Sequence, residues 1–269
     1  NTFINSYRSK QRRPQESDLG EVEDLYLYLR LGGLEASQRG RSAEDELMDV
    51  VTDAEVKAAL DELHEQFRVA VLLADVGPQD VVLEPSAGNG LLVAQLGDHR
   101  SLQLNELDPT RRSRLAALFP EALITGYDGA AIGSLMVRQE RPSIILMNPP
   151  FSRSLGRGAD DLAAVRHLQA ALRHLAPGGR LVAIMPDWFG PGARMRDQYE
   201  TVLRDVTVRT AIRLEKCYLK HGTSIAVRLF VVDKLPGKAP PAIIQRSSVT
   251  ELLEALTIHE RAPARADLP

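Results

Sequence analysis

Hydrophobic positions follow two regimes along this chain. Before residue 80 the spacing is helical. Val56, Leu60, Leu63, Phe67 and Val71 recur at intervals of four, three, four and four, which places one apolar stripe on a helix. Gly77-Pro78 is its expected stop. Residues 21–31 carry two periods at once. Val22, Leu25 and Leu29 share a helical face, while Leu25, Leu27, Leu29 and Leu31 alternate with Tyr26, Tyr28 and Arg30 as in a strand. Acids crowd the start of this segment, as a helix N-terminus favours, so a helix is expected there.

Beyond residue 80 short apolar runs alternate with helical stripes. Strands are expected at 81–83, 102–104, 123–124, 144–147, 181–185, 206–214 and 225–232, the last two able to pair as a late hairpin. Helices are expected at 91–96, 110–119 and 160–175. The last turns Leu162, Val165, Leu168, Leu172 and Leu175 inward and ends at Pro177-Gly178-Gly179. Strand–helix alternation implies an α/β fold: a mostly parallel sheet of seven strands with helices on both faces. The expected organisation is an acidic helical N-terminal extension over 1–55, the α/β domain over 56–235 and a tail over 236–269 with one short helix candidate at 249–256. Sheets of this class bind ligands at the carboxyl ends of their strands, so residues just after strands carry the chemistry.

The chain has 269 residues and a formal net charge of -3, but the charge is unevenly spread. Residues 15–65 hold fifteen acids against four bases, whereas 141–235 hold fifteen bases against eight acids. Arginine dominates the basic segment, and its fork matches phosphate oxygens. The lone cysteine, Cys217, excludes an internal disulfide and a multi-cysteine zinc site. No apolar run approaches the roughly 18 residues of a membrane span, and residues 1–14 are polar and basic, so no membrane association and a cytoplasmic location are expected. His167 and His174, seven apart on one helix, lack the companion ligands of a metal site, and no metal is expected.

Two turns stand out. Glu84-Pro85-Ser86-Ala87-Gly88-Asn89-Gly90 follows the first strand. Its glycines allow close backbone approach to a ligand. Glu106 closes the second strand, where a carboxylate can accept both hydroxyls of a ribose. The turn matches neither the G-x-G-x-x-G dinucleotide pattern nor a P-loop. The second turn, Asn148-Pro149-Pro150-Phe151, follows the fourth strand. Its prolines fix the backbone and remove two donors. The Asn148 side-chain oxygen and the Pro149 carbonyl remain as aimed acceptors for an exocyclic amine, and Phe151 offers a face for a base outside the duplex.

Together these turns resemble motifs I and IV of the class I S-adenosylmethionine-dependent amino-methyltransferases, most closely the adenine-N6 DNA methyltransferases. The resemblance covers residues 67–235. The stretch 156–185 is further similar to the methyltransferase domain of strawberry-notch-like helicases of phages and plasmids. It implies a Rossmann-like methyltransferase sheet with S-adenosylmethionine as cofactor. Glu84, Pro85, Ser86, Ala87, Gly88, Gly90 and Glu106 would bind that cofactor, with Asp128 at its adenine end or else capping a turn. Asn148, Pro149, Pro150 and Phe151 would hold the amine. Arg153, Trp188 and Tyr218 are candidate contacts to a nucleic-acid substrate, DNA ahead of RNA, with target recognition supplied by a partner domain or subunit. RNA and protein-glutamine methylation stay open. So does a non-catalytic module of the same fold, because 65–70 lacks the aromatic-x-Thr-Pro segment usual before the first strand of the adenine enzymes.

Overall fold

The computed structural model describes residues 67, 69–94, 96–151, 160, 162–214 and 226–235, and the backbone of three further strand segments, Arg153–Ser154, Gly158–Ala159 and Ala242–Arg246. The expected helix at 21–31, the acidic extension over 1–55 and the helix candidate at 249–256 lie outside the described residues.

Among the described residues ten strands form, in chain order: β1 (Val81–Glu84), β2 (Ser101–Asn105), β3 (Leu123–Thr125), β4 (Ile144–Met147), β5 (Arg153–Ser154), β6 (Gly158–Ala159), β7 (Arg180–Pro186), β8 (Thr207–Leu214), β9 (Val227–Asp233) and β10 (Ala242–Arg246). Eight of them make one sheet in the order β10-β8-β9-β7-β4-β1-β2-β3. Only β9 runs against its neighbours. The seven expected strands are all present, and β8 with β9 is the expected hairpin. The sheet also takes an eighth strand, β10, parallel to β8 at its edge, from the segment expected as a tail. Its apolar core is only Ala242, Ile243 and Ile244 after a proline pair, too short to read as a strand by periodicity. β5 and β6 form a separate two-stranded hairpin directly after the Asn148–Phe151 turn.

Among the described residues four helices have both ends defined, after a helical segment that ends at Ala74: α1 (Pro109–Leu118), α2 (Ile132–Leu135), α3 (Ala163–His174) and α4 (Arg196–Val202). Asp108 caps α1 by accepting from Arg111 N at 2.9 Å, and Pro109 takes the first helical position. α3 buries nine of its twelve residues. Its terminal carbonyls are closed by the Lys234 ammonium, which donates to Leu172 O and Leu175 O at 2.6 Å each. α4 was not foreseen, because Tyr199 alone of its residues is buried and no stripe exists to read. The helix expected at 91–96 does not form. Residues 91–94 are turns in which Leu91, Leu92 and Val93 are all buried, a consecutive burial that a helix with one inward face does not provide.

Alternation along the strands divides the core. Val82, Ile144, Leu146, Val182 and Ile184 face one side, under helical residues 67 and 69–74 and the turns at 91–93. Leu83, Ile145, Met147, Leu181 and Ala183 face the other, under α2, α3 and Tyr199 of α4. The strands β1, β4 and β7 are buried at every position, as central parallel strands are.

At the amino edge of β7 lies a buried ion pair. Arg180 donates to Asp233 from Nε at 2.7 Å and from Nη2 at 3.2 Å, with both side chains 1% exposed. Arg180 Nη1 also reaches Leu73 O at 3.4 Å, which ties the helical segment before β1 to the sheet. A register shift between Val208 and Thr210 lets Arg209 reach Asp233 Oδ2 at 2.8 Å. Burial raises the affinity of the Asp233 carboxyl for a proton, but the bonds from Arg180 and Arg209 outweigh it and hold the group below the usual carboxylate range. Arg180→Met leaves Asp233 with one half-exposed partner. Urea unfolding is expected to show a loss of about 3 kcal/mol or more. An unchanged midpoint would refute this account.

Candidate active site

The glycine turn begins where β1 ends, at the buried Glu84. The chain reverses through Gly88 at φ 53° and Gly90 at φ 80°, both in the left-handed region. A Cβ on Gly90 would lie 2.6 Å from the Phe119 ring and 2.9 Å from Leu115, so only glycine fits. Ala87 N donates to Asn105 O at 2.8 Å, and Gly88 N donates to Glu106 Oε2 at 2.8 Å. Because no helix starts at residue 91, the turn's donors come from this reversal and not from a helix N-terminus.

Glu106 follows β2 and is buried. Its Oε1 accepts from Asp108 N at 2.9 Å while Oε2 holds Gly88. Each carboxylate oxygen can accept a second bond. Glu106 therefore shapes the glycine turn and still has acceptor capacity beside it. Asp128 accepts from Ala130 N at 2.9 Å and caps the 3-10 turn Gly129–Ala131. Capping, the alternative weighed from the sequence, is thus one thing this side chain does.

Two residues central to this half of the site were not singled out as functional. Asn105, 1% exposed, uses all four of its side-chain hydrogen-bonding positions. Nδ2 donates to Pro85 O at 3.0 Å and to Tyr127 O at 2.9 Å. Oδ1 accepts from Thr125 Oγ1 and from Tyr127 N, each at 2.8 Å. His167, expected to be a structural residue of α3, touches the glycine turn. Its Nδ1 shares a 3.0 Å hydrogen bond with Ser86 Oγ, and a Cβ on Gly129 would lie 2.6 Å from the same nitrogen. Burial lowers its proton affinity below the ordinary histidine range; nearby Asp128 pulls it up and Arg166 pushes it down.

The Asn-Pro-Pro-Phe turn sits at the carboxyl end of β4. Asn148 is half-buried, Pro149 buried and Pro150 exposed. Phe151 is half-buried and packs against the cores of both sheet faces. After β7 come Asp187, Trp188 and Phe189. Phe189 is a core residue, fully buried, with ring centroids 5.6 Å from Tyr199 and 5.7 Å from Phe230. Trp188 is half-buried against the same cluster that Phe151 touches. Since β1, β2, β4 and β7 are parallel and adjacent, Glu84 at the last position of β1 and Glu106, Asn148 and Trp188 after β2, β4 and β7 all stand on one edge of the sheet. Arg153 contributes its backbone to β5, and its side chain lies outside the described residues, as do Tyr218 and Cys217. Among the described residues no cluster of three or more His, Cys, Asp or Glu is arranged to hold a metal ion, and no helix is long and apolar enough to cross a membrane.

Asn105→Leu is expected to cost roughly 2–4 kcal/mol in urea unfolding, since it strands the Pro85 carbonyl, the Thr125 hydroxyl and both backbone polar groups of Tyr127. A loss below the range of an ordinary surface substitution would contradict the bracing role. For His167 the sign is fixed by its lowered proton affinity. The unfolded chain takes up a proton near the ordinary value of about 6.5, before the folded chain does, so stability falls as pH drops through that range. Between about pH 7.5 and about 5.5 the wild type should lose more unfolding free energy than His167→Gln. Equal losses would remove His167 as the cause.

No family model matches the sequence. The chain is 26% identical over 178 residues to the type II restriction enzyme and methyltransferase RM.BcgI of Heyndrickxia coagulans, a match that takes in 57% of this chain and 28% of that protein's length. Two solved structures share its fold. One is a protein of Listeria monocytogenes assigned to the class I S-adenosylmethionine-dependent methyltransferases, with TM-score 0.52, 18% identity, and coverage of 72% of this chain and 67% of the other. The other is a modification subunit of Vibrio vulnificus YJ016 assigned to a type I restriction enzyme, with TM-score 0.55, 19% identity, and coverage of 81% and 58%. The sheet order, its single antiparallel strand and these likenesses show the Rossmann-like fold of class I methyltransferases.

Proposed function

We propose that this chain methylates an exocyclic amine with S-adenosylmethionine as donor, and that the amine is N6 of adenine in DNA. The observation that carries the reading is the placement of Asn148, Pro149 and Phe151 at the carboxyl end of β4. They lie next along the sheet edge to the carboxylates of Glu84, which ends β1, and Glu106, which follows β2.

The residues present suit that cofactor. Its ribose hydroxyls and ammonium are donors, and Glu84 and Glu106 are carboxylates at the ends of neighbouring strands. Gly88 and Gly90 keep side chains out of the turn between them. When bound, S-adenosylmethionine supplies an electrophilic methyl group on a sulfonium. The chain's own part is positioning and electrostatics. The Asn148 side-chain oxygen and the Pro149 carbonyl accept the two amine hydrogens, which aims the nitrogen lone pair at the methyl group. As the nitrogen–methyl bond forms, the methyl–sulfur bond would break and leave a neutral thioether; the same two acceptors stabilise the positive charge that develops on the nitrogen, and the surplus amine proton passes to solvent water. Phe151 stacks the base, and Trp188 borders the same opening.

DNA is preferred to RNA or a protein amide because the curated relative and the Vibrio protein are both named as restriction-modification components. Since the chain spans 28% of that curated relative, reading of a target sequence is assigned to a partner or a further domain.

Nucleoside mass spectrometry after incubation with S-adenosylmethionine and unmethylated DNA or RNA tests this. N6-methyladenine is expected in DNA, with about a hundredfold or greater loss of rate in Asn148→Ala. Cofactor binding by calorimetry with no methylated base in either nucleic acid would reject the nucleic-acid substrate. No cofactor binding at all would reject the enzyme reading in favour of a binding module.

A further inference from the structure

Arg213 and Arg228 are direct cross-strand partners on β8 and β9, at the carboxyl edge of the sheet. Like charges facing each other across a ladder are unfavourable, so this pairing calls for an anion between them. Asp187, the residue immediately after β7, supplies it. Arg213 grips the carboxylate with two bonds, Nε to Oδ1 at 2.7 Å and Nη2 to Oδ2 at 3.0 Å. Arg228 Nε lies 3.1 Å from Oδ1 and also donates to the Asp187 backbone oxygen at 2.9 Å. A Cβ on Gly190 would come within 2.8 Å of Arg228 Cδ, so the glycine makes room for this side chain.

The turn so held is also pinned on its far side. Phe189 N donates to Pro186 O at 3.0 Å, the Phe189 ring is locked in the core, and Met195 N donates to Trp188 O at 2.8 Å. Trp188 is the residue between the two anchors. The ion pairs are partly solvated, with 34% of the Asp187 side chain exposed. Pairs of that kind contribute on the order of 1 kcal/mol or less to stability. Three charges are more than that gain requires, whereas a bidentate grip on one side chain and its own carbonyl fixes orientation. The Arg213 hydrogen bond, opposed by burial and reinforced by Arg228, keeps the Asp187 carboxyl below the usual carboxylate range, so the grip is charged throughout the neutral range.

We infer that Asp187, Arg213 and Arg228 form a latch that sets Trp188 beside the Asn148–Phe151 turn, and that Asp187 is a positioning residue for substrate. The kinetic half of this inference rests on the methyl-transfer reading; the structural half does not. Trp188 is the chain's one tryptophan, so its fluorescence reports the turn without interference.

The test compares full-length wild type, Asp187→Asn, Asp187→Glu and Arg213→Gln. Asp187→Asn keeps the shape and removes the charge. It should red-shift Trp188 emission and raise acrylamide quenching, leave S-adenosylmethionine affinity within about twofold, and lower kcat on DNA by about tenfold to a hundredfold with little change in KM. Asp187→Glu should restore part of kcat, and Arg213→Gln should shift emission in the same direction. Unchanged emission and quenching in both Asp187→Asn and Arg213→Gln would overturn the latch. A shifted emission with wild-type kcat would overturn the positioning role. If the wild type methylates nothing, the methyl-transfer reading falls, while the fluorescence comparison still decides the latch.

Discussion

A single buried amide brings the cofactor half of the candidate site into one piece. Asn105 lies at the end of β2, and its side chain bonds the Pro85 carbonyl after β1 and both polar atoms of the Tyr127 backbone after β3. A buried amide is costly unless every group is satisfied, and here all four positions are. The same residue's backbone carbonyl holds Ala87. Strand ends in a parallel sheet have no ladder beyond their last pair, so loops there spread unless something joins them. Asn105 is that joint, and it allows Glu106, its neighbour, to grip Gly88. His167 adds a clamp from α3 through Ser86.

The sheet was legible where burial was continuous or the period clean. Ile144 to Met147 and the stripe of α3 read directly as strand and helix, because every apolar residue there serves the same packing. Legibility failed where burial and period disagreed. Leu91, Leu92 and Val93 are apolar and follow a glycine turn, which suggests a helix start, but all three are buried. Residues 242–246 add a strand through backbone pairing with β8, which leaves little trace in side-chain pattern.

In the site, the turns were legible because glycine, proline and carboxylate at strand ends have few other uses. Glu84, Glu106 and Asn148 stand at one edge as the motifs suggested. Their supports were illegible. Asn105 spans 20 residues to Pro85, Arg213 spans 26 to Asp187, and His167 spans 81 to Ser86. Such partners are set by tertiary distance, and a lone Arg or His carries no sign of which distant group it meets.

The antiparallel strand explains how the two halves of the edge differ. In an all-parallel sheet only the carboxyl ends of strands, each followed by its own loop, reach the ligand edge. Because β9 runs the other way, its start also lies there, and Arg228 stands opposite Arg213 within reach of the residue after β7. The half assigned to the cofactor, built from β1 to β3, is braced by the buried Asn105 amide and the Glu106 carboxylate, which suits a fixed pocket. The half assigned to the substrate, built from β4, β7, β8 and β9, is braced by a partly exposed charge triad. Charge pairs of that exposure add little to stability, so what the sheet's one reversal supplies is orientation, a bidentate grip beside the turn that would receive the larger ligand.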